Sequence, residues 1–141
     1  MKNNKGFSLV ELIIVIAIMA VLIGVLAPQY LKYVEKSRVS SDETAIADVR
    51  NAMQNSLADE DVYSNVNSGD SVVINCGTGA VTSSNAKLQS AIQAVVGTSI
   101  KLGSKTYKKT NSTIRFTATY TASNMKWEVT PFETATAGFK N

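Results

Sequence analysis

The residue that most needs a chemical explanation is Glu11. It stands near the start of FSLVELIIVIAIMAVLIGVLA, residues 7 to 27, and is the one charge in that apolar run. An ionised carboxylate at the centre of a membrane helix costs about 3 kcal/mol even on lenient insertion scales, so a segment that served only as an anchor would gain nothing from it. The chemistry open to it is electrostatic, because an opposite charge within a few ångströms in an apolar bundle offsets the desolvation that each charge suffers alone. Three further groups of residues carry potential chemistry. Asp59, Glu60, Asp61 and Asp70 could gather oxygens around calcium, but their spacing matches no compact loop such as the EF-hand, and a solvated acidic turn is the expectation. Lys101, Lys105, Lys108, Lys109 and Arg115, interleaved with Tyr107 and Phe116, fit an acidic polymer such as DNA or a glycan, and fit scattered surface charge equally well. Cys76, between Ile74 and Gly77, reads as a small buried apolar residue. The sequence has no histidine, the commonest general base and metal ligand, and no paired acid and nucleophile pattern. An enzyme, a cofactor and a bound metal are therefore not expected.

The elements that must position these residues follow from charge and periodicity. Of 141 residues, about 110 remain beyond the apolar arm, enough for one small domain with one core. The formal net charge is +3, and leaving aside Lys2 and Lys5 it is +1, so charge implies no nucleic-acid partner. The apolar run is about 21 residues long, enough at ~1.5 Å per residue to cross a ~30 Å hydrocarbon layer. The short basic stretch MKNNKG before it stays in the cytoplasm by the positive-inside rule, which sends the C-terminal bulk outward. No small-x-small cleavage site follows the run, which continues through Pro28 into a polar helical pattern, so the apolar segment is expected to be retained.

From Gln29 to about Ala58 the pattern becomes amphipathic, with Leu31, Val34, Ala45, Ile46, Val49, Ala52, Met53 and Leu57 near one side. Together with the apolar run this predicts one helix of roughly 50 residues, whose later part packs on a domain. Pro28 lacks a donor and crowds the carbonyl of Gly24, so a kink or local melting is expected between those two positions. Residues 59 to 70 read as a loop, VVINCG at 72 to 77 as a short buried strand, and 83 to 97 as a second helix. That helix would be capped by Ser83 or Ser84, buried through Leu88, Ile92, Val95 and Val96, and ended by Gly97. Ile114, Phe116, Ala118 and Tyr120 alternate along 113 to 121, and Met125, Trp127 and Val129 repeat the alternation after an ASN turn, which predicts a hairpin. Val49, Met53, Phe116 and Trp127 are expected in one core, and the tail after Pro131 reads as a loop. The fold class is α+β, a long helix on a small antiparallel sheet.

KGFSLVEL, with Gly6 before Phe7 and Glu11 four residues after it, resembles the class III signal of type IV pilins, type IVa-like, and of the related pseudopilins. The likeness extends over residues 5 to 28, Pro28 included; beyond Ala58 it is one of architecture. The resemblance implies a cleaved leader at 1–6, a transmembrane and filament-core helix at 7–28, and a pilin domain at 29–141. It implies that a prepilin peptidase cuts after Gly6 and that the new amine of Phe7 is methylated. Glu11 would then meet the terminal amine of a neighbouring copy as it enters the fibre. The implied partners are further copies in a helical filament, the peptidase and the assembly machinery of the cytoplasmic membrane; the implied locations are that membrane before assembly and an extracellular pilus after it. The implied function is a structural pilus subunit in adhesion, twitching motility or aggregation, with a pseudopilin of a type II secretion or DNA-uptake system as the alternative. Many pilins close their C-terminal region with a disulfide; a lone Cys76 leaves any role of such a loop without support.

Overall fold

The computed structural model describes residues 6–108, 113–121, 123 and 126–134. Helix α1 runs over Leu9–Ser56, and its residues fall in two compact units, Met1–Lys36 and Ser37–Asn141. In the first unit the helix passes through Gly24 and Pro28. Its apolar side chains from Leu9 to Leu31 lie open, Val15 at 48% and Leu9 at 73% exposure marking the range among them.

The second unit is built on the amphipathic part of α1. Ile46, Val49 and Met53 follow i, i+3, i+4 steps and so line up along one stripe, and all three are fully buried. Their partners are the short helix α2 (Glu60–Tyr63), the helix α3 (Ala86–Val96) and a four-stranded antiparallel sheet of β1 (Ser71–Asn75), β2 (Val81–Ser83), β3 (Thr113–Thr121) and β4 (Lys126–Thr134). The strand order is β2-β1-β3-β4. Directly opposed residues share a face: Val72 faces Phe116, Ile74 faces Ile114 and Ala118 faces Val129. Val72, Ile74, Val81, Phe116, Ala118 and Val129 are buried with Leu88 and Ile92 of α3 in a single apolar cluster, which also takes in Cys76. The fold is α+β, as the periodicities predict. The turn from β1 to β2 passes through Gly79 at φ 75°, where an added Cβ would collide with the Ile100 carbonyl. Glycine is the residue that fits both constraints.

Several local expectations are corrected. The 59–70 stretch contains a helical turn, α2, because Asp59 Oδ1 accepts from Asp61 N–H at 2.9 Å and caps it. β2 is a three-residue edge strand, too short for a periodic signal. The cap of α3 is Asn85 rather than Ser83 or Ser84: its Oδ1 accepts from Lys87 and Leu88 N–H at 3.0 and 3.2 Å. Ser83 and Ser84 instead tie β2 to the start of β1, donating to Ser71 and Asp70. Gly97, at φ 83°, ends α3 as expected. Val95 has the helical phase of the buried stripe yet is 71% exposed. The last turn of α3 borders an open cleft of about 370 Å³ with Ala45, Asp48 and Asn51 of α1 and Ile100, and none of the described residues fills it. Leu31 is likewise exposed.

Trp127 packs against the core at its border. It is half-buried, edge to face with Tyr63 at 6.1 Å and tilted against Tyr120 at 5.1 Å between ring centroids, and among the described residues its indole N–H meets no acceptor. β4 does not stop at Pro131 but continues to Thr134 opposite Thr113. β4 borders the sheet, and an edge strand tolerates a residue without an N–H. Met125, Lys109, most of the 122–124 turn and the residues after Thr134 lie outside the described residues.

Candidate processing and assembly site

The N-terminal segment separates an open peptide from a helix. Gly6, Phe7 and Ser8 carry no regular structure, and Phe7 is 91% exposed. A Cβ at Gly6 would meet nothing within 4 Å. The bond between Gly6 and Phe7 thus sits in accessible, non-helical chain, the form in which a peptidase can take a substrate into its site.

The helix begins at Leu9, and Ser8 stands immediately before it. Ser8 N–H donates to Glu11 Oε2 at 2.9 Å, and Ser8 C=O accepts from Leu12 N–H at 3.2 Å. Serine at the cap with glutamate three residues on is the sequence of a capping box, and this bond is the half in which the glutamate reaches back to a backbone donor. A negative charge at this end also meets the positive end of the helix dipole. The spacing S-x-x-E was legible in the sequence, but a reading of Glu11 as a buried charge passes over it. The structure brings Ser8 and Glu11 together. Gly24 and Pro28 lie one turn apart in the helix, and an added Cβ at Gly24 would meet open space.

The other candidate groups take up structural duties. Asp61 pairs at 3.8 Å with Lys87 on the surface, while Asp59 is spent on the cap of α2. Asp70 accepts from Asn67 N–H, Ser84 Oγ and Asn85 Nδ2 at 2.9, 3.0 and 3.1 Å. Burial pushes its carboxyl up, but these donors outweigh it and hold the group below the ordinary carboxylate range. Among the described residues no three cysteine or carboxylate side chains gather as a metal site would require. Lys101, Lys105, Lys108 and Arg115 are exposed, and Cys76 is buried.

Sequence reasoning missed Asp42. Its side chain is 2% exposed and takes four-way contact with the 101–108 loop: Gly103 N–H donates to Oδ1 at 2.7 Å, and Ser104 N–H and Oγ donate to Oδ2 at 2.8 and 2.6 Å, with the Lys108 ammonium nearby. Burial raises this carboxyl, and the Ser104 hydroxyl, the two backbone amides and Lys108 together bring it below its usual value. An aspartate in SSDET carries no local signal of this, since its donors lie some sixty residues away in sequence.

Residues 1–27 match the family described as the prokaryotic N-terminal methylation motif, and the chain carries that motif. Its relatives narrow the comparison. A type IV major fimbrial protein FimA of Dichelobacter nodosus is 40% identical over 56 residues, which are 40% of this chain and 35% of the relative. The type IV major pilin protein PilA of Myxococcus xanthus (strain DK1622) is 32% identical over 62 residues, 44% of this chain and 28% of the relative. A fimbrial protein of Pseudomonas aeruginosa is 33% identical over 57 residues, 40% of this chain and 37% of the relative. The matches span about a third of the length of these curated relatives. No solved structure matches the chain significantly.

Proposed function

We propose that the chain is the structural subunit of a type IV pilus. The observation that carries this reading is the methylation motif running directly into a helix whose apolar side chains its own fold leaves open. That helix is long and apolar enough to cross a membrane. A surface of this kind is unstable in water and needs either lipid or copies of itself. In this reading the peptidase cuts after Gly6, Phe7 becomes the methylated N-terminus, and the precursor waits in the cytoplasmic membrane with residues 29–141 outside. Polymerisation moves residues 7–28 from lipid into a bundle of like helices. Glu11 exchanges its bond to Ser8 N–H for the terminal ammonium of a neighbour, so the charge sets register. Gly24 and Pro28 are the weak point at which the helix can adjust. The chain is structural rather than catalytic, its partners being further copies, the peptidase and the assembly machinery. The similarity to proteins named as major fimbrial and pilin subunits favours a pilus over a secretion or DNA-uptake pseudopilus. Electron microscopy of sheared surface filaments, with mass spectrometry of their main protein, tests it. Long filaments made of this chain beginning at a methylated Phe7 are expected; an intact mass retaining Met1 would overturn the processing step.

A further inference from the structure

Beyond the apolar run, α1 carries two tyrosines, Tyr30 and Tyr33, that its own fold leaves uncovered at 68% and 69% exposure. We infer that they form an interfacial anchor for the outer headgroup layer of a phospholipid bilayer, fixing the depth at which the precursor sits; this rests on the membrane-anchored reading above. If residues 7–27 fill the hydrocarbon layer, Tyr30 and Tyr33 attach about 4.5 and 9 Å beyond its edge at ~1.5 Å per residue. The polar layer on each side is roughly 5–8 Å thick, the difference between the full bilayer and its core shared between two faces. Helical Cα–Cβ bonds tilt toward the helix N-terminus, which here is toward the membrane, so both rings reach back into that layer.

The chemistry fits the place. A tyrosine ring is apolar along its body and polar at its tip, which suits a boundary where one side is hydrocarbon and the other is wet. Spaced three residues apart, the two lie about 60° from each other around the helix. Lys32 and Lys36, four residues apart and both exposed, occupy a neighbouring face where their ammoniums can reach lipid phosphates. The tyrosines of the second unit differ in kind: Tyr63 and Tyr120 pack edge to face at 6.4 Å, whereas Tyr30 and Tyr33 take part in no ring contact among the described residues.

The test uses the full chain in vesicles of phosphatidylcholine and phosphatidylglycerol containing lipids brominated either high or low on the acyl chains. Tyr30→Trp, Tyr33→Trp and Ile16→Trp are made singly, with the unsubstituted chain supplying the Trp127 background. At positions 30 and 33 the shallow quencher should remove about twice as much of the added emission as the deep one, because a headgroup-layer ring stands ~15 Å or more from the bilayer centre. At position 16 the order should reverse. In the Ile16→Trp chain, Tyr30→Ser with Tyr33→Ser should then lower the ratio of deep to shallow quenching by about half, as the helix loses its fixed depth. Quenching at 16 with none at 30 and 33 overturns the anchor alone and assigns the tyrosines to a protein surface, such as a second copy. An unchanged ratio in the double serine variant also overturns it. No quenching at 16 by either lipid overturns the membrane reading itself.

Discussion

Helix α1 carries two apolar stretches of opposite fate. From Leu9 to Leu26 its large side chains stay about half exposed or more, while Ile46, Val49, Ala52 and Met53 are at most 2% exposed. The difference is not hydrophobicity, which is greater in the first stretch. It is arrangement: the first is apolar all around, so no single packed layer could cover it, whereas the second confines its apolar residues to a stripe and offers a polar back to water. A stripe can be satisfied within one chain. A fully apolar cylinder needs an environment on every side, which lipid or a bundle supplies. The two acids follow the same division, since Asp42 is buried and satisfied by its own chain and Glu11 is exposed with one backbone donor.

The largest effect is expected at Glu11. If its partner lies in a neighbouring copy, Glu11→Ala leaves cleavage and insertion intact while filament yield collapses, because an ammonium left unpaired in an apolar bundle costs about 3–5 kcal/mol. Counting filaments and cleaved monomer in the same cells checks it, and normal filament numbers would return Glu11 to the role of a helix cap. Next come matched truncations on the two stretches. Ile46→Ala should lower the stability of the second unit by about 2–5 kcal/mol, while Ile16→Ala should leave it unchanged. Denaturant melts of a chain lacking residues 1–30, which is expected to unfold cooperatively, provide the scale for the first variant, and detergent-solubilised full chain serves for the second.

Asp42 allows a prediction of intermediate size. Its folded carboxyl lies below the ordinary value, so the folded state binds fewer protons than the unfolded one across that interval. The contribution is therefore fully present above the unfolded value of about 4 and is lost as pH falls through the folded one. Asp42→Asn should cost about 1–3 kcal/mol at neutral pH and flatten the acid limb of stability against pH. A limb unchanged by the substitution would show that other carboxylates dominate it. The smallest expected effect is at the cap of α3. Asn85→Ala should cost about 1 kcal/mol, read as a shift in urea midpoint at constant slope, and Ser83→Ala should cost less, since Asn85 and not Ser83 caps the helix.

The sequence by itself determined whatever depends on near neighbours in the chain. The period of 3.6 marks α1 and α3, alternation marks β3 and β4, and the string from Gly6 to Glu11 lies within the match to the methylation motif, because in each case the informative residues lie within a turn or two of each other. The same local logic could have yielded the Ser8–Glu11 cap, whose spacing is fixed by helix geometry. Tertiary structure alone decided which residues of a correct stripe are covered. Val95 and Ile92 share a phase on α3, yet only Ile92 faces a filled space. It also decided that Asp42 holds the Gly103–Ser104 loop, that the chain runs on as an edge strand through Pro131, and that β1 pairs with a strand as distant in sequence as β3, Ser71 opposite Thr117 and Asn75 opposite Thr113. Burial and long-range hydrogen bonding depend on what the rest of the chain places opposite a residue, and no window along the sequence contains that partner.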